Sequence, residues 1–179
     1  QQVNLDGLVY CAGINRINLF DESPENDFWD SMDVNCYGFI RVLKILRERG
    51  SWNPGMRCCL VTSNAANVAM RHSLSYNCSK AAANMAIKQM AREIHPNEQV
   101  IFGVAPNKIH GTPMSKKIEE KVCAMRGWSP EEAEKYQLEV LPARKETDPE
   151  SLAKFITELM TGPYVPYIHG NILPFGGPV

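Results

Sequence analysis

Tyr76 and Lys80 stand four residues apart in "SYNCSK", at the head of a run whose apolar residues recur at helical spacing. Four residues is a little over one helical turn, so a phenol and an ammonium would share one face. A free phenol has a pKa of about 10 and is a poor base at neutral pH. A nearby ammonium favours phenolate and lowers that value by roughly 1–3 units. Ser63, at the end of "MRCCLVTS", offers a hydroxyl that could hold a substrate oxygen against the phenol. Asn35, in "DVNCYGF", places an amide in an otherwise apolar helical stretch. Such a set suits moving a proton on or off an alcohol oxygen. A hydride must leave or join the same carbon, and no side chain carries hydride, so the chemistry requires a nicotinamide cofactor. Taken singly, each residue has a plainer reading: a surface pair, a strand-end cap, a satisfied amide at a helix kink. The four together favour a site.

The elements around them follow from hydrophobic periodicity. "DGLVYCAG" (6–13), "MRCCLVTS" (56–63) and "QVIFGVAP" (99–106) are short apolar runs of the kind that form buried strands. "YIHGNILPFGG" (167–177) reads as a fourth strand and a glycine turn. Between them lie a long helix over 24–49, marked by Phe28, Met32, Phe39, Val42, Leu43 and Leu46 and closed by Gly50, and a helix over 76–95 that carries Met85, Met90 and Ile94 inward. Asp148-Pro149-Glu150 caps a last helix, with Leu152, Phe155, Ile156, Leu159 and Met160 on its apolar face. Residues 107–146 break into short charged pieces, as a lid with its own small helices would, and the charges of "SKKIEEK" read as a solvated face. Strands alternating with helices predict an α/β domain: a partial Rossmann-like, doubly wound parallel sheet of about four strands with helices on both faces. In such sheets ligands sit outside the carboxyl ends of the strands. The first strand would leave an apolar edge unless something pairs with it.

Bulk properties exclude several classes. The 179 residues suit one domain over 1–179, and a net charge of -1 gives no footprint for nucleic acid or an anionic membrane. No apolar run approaches the 20 or so residues a membrane helix needs. The six cysteines form no C-x-x-C pair and have no histidine pair at metal spacing, so reduced thiols in a cytoplasmic protein are expected and no metal site is. Cys58 and Cys59 should face opposite sides of their strand. The four histidines are scattered, and His110 and His169 fall near the expected cleft mouth.

Six ordered segments resemble the short-chain dehydrogenase/reductase family across nearly the whole chain. "YCAGI" stands where the family has N-N-A-G, "DVNCYG" supplies its helix asparagine, "LVTSNAA" its serine and "YNCSK" its Y-x-x-x-K. "VAPNKIHGTPM" looks like the P-G-x-(I/V)-x-T segment, with Pro106-Asn107 in place of P-G and one residue more before Thr112; the asparagine is expected to tolerate a left-handed turn. "LPARKETDPESLAKFI" and "YIHGNILPFGG" are similar to its closing stretches. The resemblance implies that Tyr76 is the acid/base, that Lys80 lowers its pKa and binds the nicotinamide ribose, that Ser63 holds the substrate carbonyl, and that Asn35 anchors a water in the proton relay. It further implies an NAD or NADP cleft lined by Ala12 and Gly13, with Pro106, the backbone of Ile109 and Thr112 also on the cofactor. Members of the family commonly pair through helices matching 24–49 and 76–95, so a homo-oligomer acting on a small alcohol or carbonyl compound is expected.

The family's glycine-rich dinucleotide fingerprint, T-G-x-x-x-G-x-G, is not among these residues. Three strands and their helices are therefore expected before Gln1, the chain reading as a truncated domain. Two functions remain open at this point. One is an NAD(P)-dependent oxidoreductase of which this is the proton-transfer portion; the other is a naturally shortened, catalytically silent module of the same fold that binds itself or a partner.

Overall fold

A computed structural model describes residues 3–177. Four strands form one sheet in the order β1-β2-β3-β4, with β1 Leu5–Tyr10, β2 Trp52–Val61, β3 Gln99–Pro106 and β4 Ile172–Phe175. Every neighbouring pair is parallel, so all carboxyl ends meet at one rim. Each crossover carries a helix: α1 Glu25–Met32 and α2 Gly38–Arg49, then α3 Leu74–Glu93, then α4 Pro113–Arg126 and α5 Pro130–Val140 within the stretch expected to form a lid, and α6 Pro149–Thr161.

The two faces of the sheet bury different helices. Phe39, Leu43 and Ile87 pack with Cys58, Leu60 and Ile101 on one side, while Leu152, Ile156 and Leu159 pack with Cys59, Phe102 and Val104 on the other. Adjacent Cys58 and Cys59 thus fall into separate cores, as strand alternation requires. Burial pushes both thiols up to about 12, and all six cysteines are free. β1 pairs with β2 alone among the described residues, and its Val9 is 40% exposed.

Helix ends match their caps. Asp148 accepts from the Ser151 amide at 2.8 Å ahead of α6, and Ser129 and Glu132 close a reciprocal capping box ahead of α5. Some boundaries differ from expectation. Ser63 does not close β2 but lies two residues past it, capping a short 3-10 turn, Asn64–Ala66. Met85 is 61% exposed rather than inward. The buried face of α3 centres on Ala83 and Ile87, and two residues turn a side chain by about 200° from Ile87. Met90 and Ile94 do pack on the core.

The predicted helix over 24–49 is continuous but widens into a π-helical turn, Asp33–Tyr37, between α1 and α2. Tyr10 of β1 packs against that turn and donates to the Val34 carbonyl at 3.0 Å. A Cβ at Gly38 would stand 2.1 Å from the Tyr10 hydroxyl, so only glycine admits the ring there. Such turns often sit at functional sites, and this one carries Asn35.

Candidate active site

The rim formed by the strand ends collects the four residues singled out from the sequence. Asn35 is fully buried and clamps the loop leaving β1: its Oδ1 accepts from the Ile14 amide at 2.8 Å, and its Nδ2 donates to the Ile14 carbonyl at 2.9 Å. Nδ2 also donates to Ser79 Oγ at 2.8 Å, and Ser79 donates onward to the Tyr76 carbonyl at 2.8 Å. The π-helical turn is therefore tied both to β1 and to the first turn of α3. Ser79 was not anticipated, although its position between Tyr76 and Lys80, three residues after the tyrosine, put it one turn along the same helix.

Truncating Asn35 would leave three groups without their partner at once: the Ile14 amide, the Ile14 carbonyl and Ser79 Oγ. Asn35→Ala should destabilise the fold by about 2–4 kcal/mol, because each buried group left without its partner costs about 1–3 kcal/mol. Urea unfolding checks this; a loss below about 0.5 kcal/mol would contradict the clamp.

Lys80 is 3% exposed and reaches β2, donating to the Val61 carbonyl at 3.0 Å. Its Nζ lies 5.7 Å from the centre of the Tyr76 ring, so the two side chains converge as their spacing predicts. Among the described residues no carboxylate pairs with it. Burial pushes the Lys80 amine down to about 8, with Cys11 and Cys36 acting weakly the other way. Tyr76 is half-buried, and burial raises its phenol above the ordinary value of 10.0, opposed by a hydrogen bond from the Ser63 side chain. The expectation that Lys80 depresses the phenol is thus corrected. Desolvation, which depends on the packing around the helix, prevails over the Ser63 bond, and the ammonium one turn away is not among the causes of the shift. Ser63 Oγ in turn accepts from the Ala65 amide at 3.1 Å, which orients it.

The expected cofactor-side residues lie on the same rim. Gly13 faces the site: a Cβ there would come within 3.4 Å of Asn35 Oδ1 and 3.6 Å of Lys80 Nζ. Ala12 is exposed beside it, and Pro106 is buried at the end of β3. Ile109 bridges Thr147 in parallel fashion through the Lys108 carbonyl and the His110 amide, which turns its own N–H and C=O to the other side. Thr112 caps α4, accepting from Ser115 at 3.1 Å, and its O–H donates to the Ile109 carbonyl at 3.3 Å.

Asn107 does not adopt a left-handed backbone; among the described non-glycine residues only His72 and Arg144 have positive φ. It works through its amide instead, accepting from Asn64 Nδ2 at 2.9 Å and donating to the Gly176 carbonyl at 2.9 Å. That pins the end of β3 to the glycine turn after β4. His169 is a structural staple, taking the Ile101 amide on Nδ1 at 3.0 Å while Nε2 meets the Ala91 carbonyl at 3.0 Å. His110 is exposed and bonded to Glu146 at 2.9 Å. Burial raises the Glu146 carboxyl, but its bonds to Lys108 and His110 prevail and hold it below the usual range.

Comparison with known proteins agrees with this architecture. The chain is 26% identical to 7alpha-hydroxysteroid dehydrogenase of Escherichia coli K12 over 173 residues, covering 97% of this chain and 63% of that protein. It is 28% identical to 3-oxoacyl-acyl-carrier-protein reductase FabG of Vibrio cholerae over 174 residues, covering 97% and 66%. The chain thus spans under two thirds of the length of the first of these relatives. Among solved structures, a short chain dehydrogenase family protein from Francisella tularensis superposes with a TM-score of 0.86 at 21% identity, covering 97% of this chain and 70% of that one. Actinorhodin polyketide ketoreductase with NADPH superposes at 0.83 and 22% identity, covering 96% and 66%. At those identities the superpositions bear on the fold alone. Sequence supplies the rest: the family model described as short chain dehydrogenase matches residues 1–122, two thirds of the chain, and this protein belongs to that family.

Proposed function

We propose that this chain carries the proton-transfer portion of an NAD(P)-dependent oxidoreductase that interconverts a secondary alcohol and its carbonyl compound. The observation that carries the reading is the convergence of Ser63, Tyr76 and Lys80 at the rim where β1, β2 and β3 end. Tyr76 gives its proton to the substrate oxygen in reduction and takes it back in oxidation. Ser63, oriented by the Ala65 amide, holds that oxygen, and Asn35 keeps the Ile14 loop in place beside it.

A nicotinamide cofactor fits the residues present at its ribose end. Lys80 offers three N–H bonds, of which the Val61 carbonyl takes one, and Gly13 leaves open the space beside it. A diol would be held there, with the Ile109 backbone and Ala12 as further contacts; bound, the cofactor supplies the hydride. The relatives named above are a dehydrogenase of a hydroxysteroid and a reductase of an oxoacyl group, which agrees with a carbinol–carbonyl couple.

The test is an assay of the gene product carrying these residues, with NADH and NADPH against a panel of ketones. Turnover with either confirms the reading, and none with any ketone overturns it. The pH profile carries a further expectation. Carbonyl reduction needs the phenol protonated and Lys80 charged. Since kcat/KM reports the free enzyme, it should fall on the alkaline side with a midpoint near about 8, the Lys80 value, and not near the phenol's higher one. Lys80→Arg, which stays charged, should move that limb upward.

One observation favours a second reading, a silent module that self-associates. The helices that would pair, α1 and α3, expose Trp29, Leu74 and Met85. These helices, within 24–49 and 76–95, are where pairing with a second copy would occur. Calorimetry on the 179 residues separates the two: tight binding of NAD or NADP counts against the silent module.

A further inference from the structure

We infer that the cleft between the loop that leaves β1 and helix α4 is an anion subsite, holding a carboxylate or phosphate carried by the substrate; this rests on the oxidoreductase reading above. The cleft is lined by Asn15, Arg16 and Ile17 from the loop and by Lys117, Ile118 and Lys121 from α4. Its loop wall begins two residues from the proton-transfer site. Gly13 borders Lys80, and Asn15 lies two residues on, within about 7 Å of chain. Asn18 of the same loop bonds the His72 carbonyl at 3.0 Å, tying it to the turn that leads into α3. A substrate whose carbinol sits at Tyr76 would extend its distal end toward this cleft.

Charge is one argument. Lys117 and Lys121 are one turn apart on α4 and line the cleft together with Arg16. Lys121 donates to the Ile17 carbonyl at 3.1 Å, and among the described residues neither lysine pairs with a carboxylate. Asp27 of α1 is 3.7 Å from Arg16 Nε and already accepts from Asn18 at 2.7 Å. Glu119 of α4 is engaged by Lys108 at 3.1 Å. Three cations against one shared carboxylate leave the cleft positive.

The unmade hydrogen bonds are a second, independent argument. Asn15 Oδ1 and Arg16 Nε are both buried and have no hydrogen-bond partner. Buried polar groups are rarely left so, and the unpaired guanidinium N–H in the wall of a cationic cleft asks for an acceptor. An oxyanion supplies one to Arg16 Nε–H. The planar guanidinium suits carboxylate and phosphate oxygens in particular. Ile17 and Ile118 give the cleft apolar sides for the carbon skeleton.

Inorganic phosphate and succinate, titrated into the nitrogen-15-labelled gene product with glycerol as a neutral control, test this directly. Saturable shifts of the Arg16 Nε–H and Asn15 amide signals with either anion, and none with glycerol, are expected. The anion that binds more tightly identifies the group. Lys117→Gln, on an exposed side chain that makes no structural bond, should weaken binding by about fivefold. No saturable shift, or binding untouched by both Lys117→Gln and Lys121→Gln, overturns the subsite. The readout needs no turnover. Inactivity with intact anion binding would count against the oxidoreductase alone, and turnover without anion binding against the subsite alone.

Discussion

Tyr76→Phe should lower kcat/KM of the gene product by about a thousandfold while leaving its thermal unfolding nearly unchanged. The substitution removes one oxygen and keeps the ring that packs beneath Lys80. The lost hydroxyl interacts with Ser63, and Ser63 retains its bond with the Ala65 amide, so no buried partner is abandoned. A positioned general acid contributes about 10²–10⁴ in rate, and the rate should fall by that amount if the phenol is the proton donor. Because burial holds this phenol above 10.0, it is almost wholly protonated at neutral pH and suited to giving a proton during reduction. Oxidation, which needs the phenolate, should be favoured only at more alkaline pH. Steady-state kinetics in both directions check the effect. Turnover within threefold of the parent would remove Tyr76 from the chemistry.

Lys80→Met should do two opposite things: abolish cofactor-dependent turnover and make the folded chain more stable. Burial holds the Lys80 amine at about 8 in the folded chain against an ordinary 10.5, which weighs about 3 kcal/mol against the charged form. The sign follows from proton counting. Between about 8 and 10.5 the unfolded chain holds this proton and the folded chain does not, so stability rises with pH across that window. Below about 8 both states are protonated and the full cost of the buried charge is present. Methionine removes the cost and nearly fills the same volume, though the Val61 carbonyl loses its donor at a cost of about 1 kcal/mol. A net gain of about 2 kcal/mol at pH 7 is expected, shrinking toward zero as pH approaches 10.5. Urea unfolding at pH 7 and pH 10 measures both. An unchanged or lower stability at pH 7 would mean that the ammonium is better compensated than its surroundings indicate.

A stability gain of that kind has a functional meaning. A buried charge with one carbonyl partner is held at the expense of the fold, as groups kept for binding or catalysis often are. The cluster at the rim is accordingly where local sequence rules are broken. A lysine is buried, an asparagine sits inside a helix, and the helix widens into a π turn to accommodate it.

Much of this protein was legible in its residues because the signals were local. The alternation in "MRCCLVTS" placed Cys58 and Cys59 on opposite faces, where two separate cores receive them. Asp148 three residues before Ser151 marked the start of α6, and the four-residue spacing of Tyr76 and Lys80 put both on one face of α3. Periodicity and capping act within a turn or two of chain, so a single sequence carries them. What lay outside its reach depended on groups far apart in the chain. Ser79 joined the site only because α3 packs against the turn holding Asn35, 44 residues away. His169 became a staple through Ile101 and Ala91, and Asn107 found its partners in Asn64 and Gly176. The direction of the Tyr76 shift was decided in the same way. A neighbouring charge can be counted from spacing, but desolvation is set by everything that closes around a side chain, and only the folded chain supplies that.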